Sequence, residues 1–227
     1  MRGGAIEDKI LVVGAGPAGL ASALFLSEQG IKPRIIERNT HVSQFSKALG
    51  VNPRTLQLLE PTGLTPRFLE KGRKMEKINF WKGNQLVFQN DLSKISHSYP
   101  FMLILAQKES EAILLEELNN RKLEVEFGTS FKSLHKDTSH IRLVLENSNK
   151  GREEQEFSLL IGADGARSEV RKQTGITSQG FQYAEDWKLY DVELEVPVSK
   201  EEGHVRLFPE GGIILIRLKD NIWRIAG

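Results

Sequence analysis

The sequence lacks cysteine among its 227 residues. Disulfide bonds and thiol catalysis are therefore excluded. It also lacks an uninterrupted apolar run of about 18 residues, which a membrane-crossing helix needs. Near the start, three glycines and a proline interrupt the apolar stretch from Ile10 to Leu26, and acidic residues precede it. We therefore expect neither a signal peptide nor a membrane anchor, and a cytoplasmic protein.

An excess of charge of one sign is lacking too, since 31 Lys and Arg stand against 30 Asp and Glu. No basic stripe with interleaved aromatic residues is visible, so we do not expect a nucleic-acid partner. The five histidines show no metal-ligand spacing, and no metal site is expected. Apolar residues make up 39% of the chain, enough for a packed core in one large domain, or in one domain and part of another.

A strand–helix–strand unit opens the chain. The β-branched run from Lys9 to Val13 is typical of a buried parallel strand. A helix is predicted from Pro17 to Gln29, because proline suits a first turn and Gly30 follows the end. A second strand is predicted from Pro33 to Ile36. The crossover between the two strands should be right-handed.

Between the first strand and the helix stands a glycine motif, Gly14-Ala-Gly-Pro-Ala-Gly19, which matches GxGxxG. Gly14 permits a tight turn, Gly16 lets the backbone approach a pyrophosphate, and Gly19 allows close packing of helix on strand. The helix begins with Pro17 and Ala18, and its N–H groups and positive dipole end would face that anion. The motif therefore predicts a dinucleotide site, although the same turn can occur in an unrelated sheet protein.

Glu37 follows the second strand. Its carboxylate can accept hydrogen bonds from both ribose hydroxyls of an adenosine, and it would repel a 2′-phosphate. NADP is therefore disfavoured at this site. Arg38 complicates the prediction, because a guanidinium there could stack on adenine or contact a phosphate.

Further elements follow from periodicity and turn residues. Helices are predicted at Pro53–Leu59 and Lys108–Asn119, and a β-hairpin at Ile78–Phe88 around Lys82-Gly-Asn. Another sheet strand is expected at 123–127. An antiparallel meander is expected from strands at 131–135, 141–146 and 156–162, with a polar turn at 148–154. Four further strands are expected at 189–196, 203–208, 213–218 and 222–226.

A second motif is the most specific segment of the chain. An apolar strand from Leu160 ends in Gly-Ala-Asp-Gly165, and Ser168 can cap a helix that begins near Glu169. With both motifs present, the chain resembles the class A flavoprotein monooxygenases, the family of para-hydroxybenzoate hydroxylase. That family carries a GxGxxG motif near its start and a GADGxxSxVR-type motif further along.

The resemblance implies an α/β fold: a Rossmann-like FAD-binding domain of the GR2 type with a β-meander, and part of a second, β-rich substrate domain. Residues 1–75 and 100–180 would form the discontinuous FAD-binding domain. Residues 76–99 and 181–227 would form the partial substrate-binding domain.

The resemblance also assigns residues to cofactor binding. The three motif glycines would hold the pyrophosphate, Glu37 the adenosine ribose, and Gln107 the FAD linker. Asp164 would lie near the pyrophosphate and ribitol, close to where a nicotinamide docks. Lys47 stands where the family usually has arginine, which puts a bidentate phosphate contact in doubt. Arg54 is a second candidate, or it faces solvent.

By the same resemblance, we expect an FAD-dependent monooxygenase that uses NADPH or NADH to hydroxylate an aromatic or polycyclic small molecule. No catalytic residue is named, because the flavin itself carries the chemistry. The alternatives are a related flavin-dependent halogenase or geranylgeranyl-type reductase, and a non-catalytic FAD- or nucleotide-binding fragment. The sequence leaves the oligomeric state open.

A third motif of the family, GDAAH-like, is not found, since no Gly-Asp-Ala sequence follows Gly165. The sequence stops at Gly227 within a strand-like pattern. We therefore expect a chain truncated at its C-terminus that is inactive as an isolated fragment.

Overall fold

The computed structural model describes residues 9–42, 48–136, 140–181 and 186–227, and it shows an α/β protein. Its helices in this part of the chain are α1 (Pro17–Glu28), α2 (Pro53–Leu59), α3 (Thr65–Lys71), α4 (Gln107–Asn120) and α5 (Glu169–Gln173). The strands are β1 (Ile10–Val13), β2 (Arg34–Glu37), β3 (Gly50–Val51), β4 (Arg73–Met75), β5 (Lys77–Lys82), β6 (Gln85–Asp91), β7 (Met102–Ile104), β8 (Val125–Phe127), β9 (Thr129–Lys136), β10 (Ile141–Asn147), β11 (Gly151–Phe157), β12 (Leu159–Gly162), β13 (Leu189–Glu193), β14 (Gly203–Phe208), β15 (Gly211–Arg217) and β16 (Ile222–Ala226). No helix among these residues is long and apolar enough to cross a membrane.

The chain divides into two compact units. The first comprises residues 1–45 and 110–180, and the second comprises residues 46–109 and 181–227. Residues 46–75 and 100–109 thus fall in the second unit, whereas the expected FAD-binding domain includes them. The units describe packing, and the assignment of residues to a cofactor or a substrate domain stays a prediction.

A parallel sheet organises the first unit, in the strand order β12-β1-β2-β8. Every residue of β1 is buried, as expected for a central strand covered on both faces. The predicted strand–helix–strand unit is confirmed, with α1 ending one residue earlier than expected. β12 brings Gly162 level with Val13, although the two are far apart in sequence.

The meander of the first unit is β11-β10-β9, and here the sequence prediction was partly wrong. The expected third strand, 156–162, is two strands: β11 stays in the meander, and β12 joins the parallel sheet. Ser158 separates them, and both its backbone N–H and its hydroxyl donate to the carbonyl of Lys9. The polar run that suggested a turn is mostly strand, because β11 is an edge strand whose residues before Phe157 are mostly exposed.

A shared apolar cluster joins the parallel sheet, the meander and α5. Its members are all buried, namely Leu11, Val13, Ile36, Phe131, Leu143, Leu145, Phe157 and Val170. α5 lies tightly on the sheet, since a Cβ added at Gly162 would come within 2.8 Å of the Val170 side chain.

The second unit contains a six-stranded sheet, β13-β16-β15-β14-β5-β6, and a three-stranded sheet, β3-β7-β4. In the larger sheet β14 and β5 are parallel, and the other neighbours are antiparallel. The predicted hairpin is confirmed, with Gly83 at φ +56° in its turn. β6 forms one edge, and its residues before Asp91 are all exposed.

The central meander strand offers a test of the first unit's core. Leu143 is fully buried in the cluster, whereas Leu159 is 46% exposed. We expect Leu143→Ala to lower the free energy of unfolding by about 2–5 kcal/mol, because it removes buried methyl groups and leaves a cavity. Leu159→Ala should stay within about 0.5 kcal/mol. Denaturant titration of both variants measures the difference, and equal effects would contradict this account of the core.

Candidate dinucleotide-binding site

Two of the three motif glycines are required by close approaches within the chain. Gly14 has φ +106°, and a Cβ there would lie 2.3 Å from the Ala163 carbonyl oxygen. A Cβ on Gly19 would lie 1.8 Å from the Gly14 carbonyl oxygen. Any side chain at either position would push the turn between β1 and α1 apart.

Gly16 differs, because a Cβ built on it meets no atom within 4 Å in the described part of the chain beyond its two neighbours. It stands before α1, and among the described residues no side chain caps that helix or places an acid in its first turn. Pro17 and Ala18 follow and are exposed. An open space beside uncapped N–H groups fits an anionic group such as a pyrophosphate.

Glu37 joins the turn to the loop after β2. Its Oε2 accepts a hydrogen bond from the backbone N–H of Ala15 at 2.9 Å. Its Oε1 accepts from the backbone and side-chain amides of Asn39 at 2.9 and 2.7 Å. A carboxylate offers about four lone-pair sites, so these three contacts leave capacity for a further donor, and the expected ribose contact stays a prediction.

The second motif lies beside the first. The Ala163 backbone N–H donates to the Val13 carbonyl oxygen at 2.8 Å, which sets Ala163 against the Gly14 turn. This follows from the parallel pairing of β1 with β12, because the carboxyl ends of parallel strands meet at one edge of the sheet.

Asp164 is held by the start of α5. Its Oδ1 accepts from the Ser168 hydroxyl at 2.5 Å, and its Oδ2 accepts from the backbone N–H groups of Glu169 and Val170 at 2.6 and 3.2 Å. Ser168 caps α5 as predicted, accepting from the N–H of Arg171. The Asp164 carboxylate therefore stabilises the start of α5. Its expected contact with the cofactor stays a prediction.

Four further residues are expected to bind the cofactor, and the structure places three of them. Arg38 is exposed after β2 in the first unit. Gln107 belongs to the second unit, where its Oε1 accepts from the Ala48 N–H at 3.2 Å. Arg54, also there, is exposed and donates to Gln57 at 2.7 Å on its own helix. Lys47 lies outside the described residues.

Asn39 is a contact residue that the sequence reasoning missed. Besides holding Glu37, it accepts a hydrogen bond at its carbonyl oxygen from the Gly128 N–H at 2.8 Å. Its position two residues after a strand-ending carboxylate is a common turn signal, which could have pointed to it.

The model of the FAD binding domain family matches residues 7–216 of the chain. The chain belongs to this family. The resemblance drawn from the two motifs is confirmed, and the residues that would contact FAD stay a prediction.

The chain is similar to curated proteins that are named as monooxygenases. It is 31% identical to 6-methylpretetramide 4-monooxygenase of Streptomyces rimosus over 95% of this chain and 39% of the relative. It is also 31% identical to pentachlorophenol 4-monooxygenase of Sphingobium chlorophenolicum, over 85% of this chain and 36% of the relative. The chain thus spans about two-fifths of the length of these relatives.

Solved structures share the fold. A p-nitrophenol 4-monooxygenase from Pseudomonas putida has a TM-score of 0.89 at 23% identity, covering 96% of this chain and 57% of that one. An anhydrotetracycline hydroxylase from Streptomyces rimosus has a TM-score of 0.77 at 26% identity, covering 96% of this chain and 44% of that one.

Glu37 can be tested with a substitution of equal shape. Glu37→Gln removes the charge that a ribose hydroxyl would meet, and we expect FAD affinity to fall at least about tenfold, since hydrogen bonds to charged groups contribute about 1.5–3 kcal/mol. Equilibrium dialysis of FAD measures the dissociation constant. Glu146→Gln, at an exposed residue of the meander, is the control and should leave it unchanged. An unaltered constant in Glu37→Gln would remove this residue from the site.

Asp164 can be separated from its capping task by comparison with Ser168. Both Asp164→Ala and Ser168→Ala weaken the cap of α5, at a cost of about 0.5–2 kcal/mol. We expect only Asp164→Ala to weaken FAD binding or slow flavin reduction as well. Melting temperature, FAD affinity and reduction rate are measured for both. If the two variants match in all three, Asp164 acts as a cap alone.

Proposed function

We propose that this chain provides the FAD-binding part, and some of the substrate-binding part, of a monooxygenase that hydroxylates an aromatic or polycyclic small molecule with NADPH or NADH as reductant. The observation that carries the proposal is the meeting of the Gly14 turn with Ala163 and Asp164 at one sheet edge. The activities named for the curated relatives support the substrate class.

The residues of the chain would hold and orient the cofactor. The N–H groups at the start of α1 would bind the pyrophosphate beside Gly16, and Glu37 would accept from the ribose. Bound FAD supplies the oxygen-activating chemistry of such enzymes. We propose that Asp164, fixed by Ser168, orients the pyrophosphate–ribitol end and lies beside the docked nicotinamide. We also propose that three further residues contact the cofactor. Two of them, Gln107 and Arg54, belong to the second unit, and the third, Lys47, lies outside the described residues.

Two other functions use the same fold. A flavin-dependent halogenase should carry a WxWxIP-like segment, and the sequence has none. A reductase of the geranylgeranyl type would reduce its substrate without inserting oxygen, so product analysis separates it. A non-catalytic FAD- or nucleotide-binding role is the remaining alternative, and it predicts FAD binding without nicotinamide oxidation.

Reconstitution of the 227-residue chain with excess FAD tests these functions together. We expect NADPH or NADH to be oxidised with release of hydrogen peroxide and little hydroxylated product. A hydroxylating flavin needs a water-poor surrounding, which the family completes with a motif absent from this sequence. Nicotinamide oxidation, peroxide and product mass are measured with a panel of phenols. Stoichiometric hydroxylation with little peroxide would show that the absent motif is dispensable.

Gly16→Val is the matched control for the reconstitution. Apart from its chain neighbours, no atom of the described residues lies within 4 Å of the added Cβ, so the fold should persist while the side chain occupies the proposed pyrophosphate space. This variant should lose FAD binding and nicotinamide oxidation together. If it keeps both, the cofactor lies elsewhere and the proposal fails.

A further inference from the structure

A groove with a volume of about 340 Å³ opens in the first unit, between the meander, β12 and α5. Its apolar side chains are all aliphatic, namely Leu134, Ile141, Leu160, Val170 and Ile176. Sites for small molecules have volumes from about 300 Å³ upward and are mainly apolar, with a few polar groups that orient the ligand. The groove is therefore large enough for a small ligand with an apolar body.

Two cationic side chains line the same groove. Lys136 lies directly opposite Ile141 in the pairing of β9 with β10, and it stands two residues after Leu134. These positions share one face of the meander, and both apolar neighbours pack against the buried cluster of the first unit. Arg171 lines the groove from α5. One lysine and one arginine thus border a single apolar wall.

The charges of these two residues are not neutralised by the protein around them. In the part of the chain that the structure describes, neither Lys136 nor Arg171 forms an ion pair with a carboxylate. Arg171 Nη2 donates to the carbonyl oxygen of Ala166 at 3.0 Å, which holds the guanidinium in place and leaves its charge uncompensated. An anionic group would complement this end of the groove.

A purely structural role explains only part of this arrangement. Basic residues in the last turn of a helix stabilise it through the helix dipole, and both Arg171 and Lys172 stand there in α5. Lys172 pairs with Glu169 at 3.2 Å and is not among the residues that line the groove. The dipole does not account for Lys136, because this residue belongs to a strand.

The hydroxyl groups in the groove already have partners. Ser168 donates to Asp164 at 2.5 Å, and Thr174 donates to the carbonyl oxygen of Val170 at 2.9 Å. A polar group of a ligand would therefore meet the two cations rather than these hydroxyls. Of the described residues that line the groove, none is aromatic, so a planar ring would find no partner for stacking.

We propose that this groove binds an aliphatic carboxylate. Its carboxylate group would lie between Lys136 and Arg171, and its hydrocarbon chain would lie along the wall from Leu134 to Ile176. The planar fork of an arginine side chain suits a carboxylate in particular. The site uses none of the residues proposed to bind FAD, and it does not depend on the proposed function.

Four probes test the chemical class of the ligand. Octanoate has both the chain and the charge, 1-octanol lacks the charge, acetate lacks the chain, and 2-naphthoate replaces the chain by a ring system. Isothermal titration of the FAD-reconstituted chain at neutral pH and low ionic strength gives the affinities. We expect octanoate to bind at least about tenfold more tightly than 1-octanol or acetate, and more tightly than 2-naphthoate. A different order, or no binding of octanoate, would overturn the proposal.

Substitutions at the two cations test the location. Arg171→Gln and Lys136→Gln should each weaken octanoate binding at least about fivefold, because each removes one charge that the carboxylate would meet. Lys172→Gln, the neighbouring cation outside the groove, is the matched control and should keep the affinity. Melting temperatures show which variants fold. Unchanged affinity in folded Arg171→Gln and Lys136→Gln would mean that the acid binds elsewhere, and the proposal would fail.

Ile176→Asp decides the matter if either cation proves necessary for folding. Ile176 is 64% exposed, so the substitution should spare the fold while it places a negative charge in the groove. Octanoate binding should then be lost, and its persistence would contradict the proposal. Flavin absorbance after dialysis against octanoate gives a last readout. FAD should stay bound, whereas its release in proportion to octanoate would place the acid in the dinucleotide site instead.

Discussion

The pairing of β1 with β12 is the contact on which the candidate site depends. It aligns Val13 with Gly162, so that the Gly14 turn and the Ala163-Asp164 segment leave the sheet side by side. The packing there is tight enough that Gly14 cannot carry a side chain. The two motifs, which are separated in sequence, thus form a single structural feature. A change that shifts β12 along β1 would disrupt the candidate site without altering any residue proposed to bind the cofactor.

Glu37 extends this feature to the loop after β2. Its carboxylate holds the Ala15 amide on one side and Asn39 on the other. The residue expected to recognise the ribose therefore also stabilises the turn that we propose to bind the pyrophosphate. Binding and local stability are coupled in one side chain, and for this reason a substitution of equal shape is more informative than a truncation.

Much of the first unit was predictable because its signals are local. A β-branched run, a glycine turn and a proline-initiated helix predict the bounds of β1 and α1 to within about one residue. Ser168, a residue type favoured at the N-cap, predicts the start of α5. The three-stranded sheet of the second unit was missed, because β3, β4 and β7 have only two or three residues and cannot show alternation. The Glu37–Asn39 contact and the meeting of Lys136 and Arg171 at one groove depend on side-chain geometry, which periodicity does not describe.

Two of the edge strands in the described part of the chain, β11 and β6, differ in how they discourage pairing with strands of other molecules. β11 carries a run of charged residues, Arg152, Glu153, Glu154 and Glu156, and like charges of this kind discourage edge-to-edge pairing. β6 has no charge between Lys82 and Asp91, and it exposes Leu86, Val87 and Phe88. In concentrated solution, aggregation of this chain should therefore begin at the β6 edge. The single substitution Val87→Lys would place a charge on this edge and should suppress that aggregation.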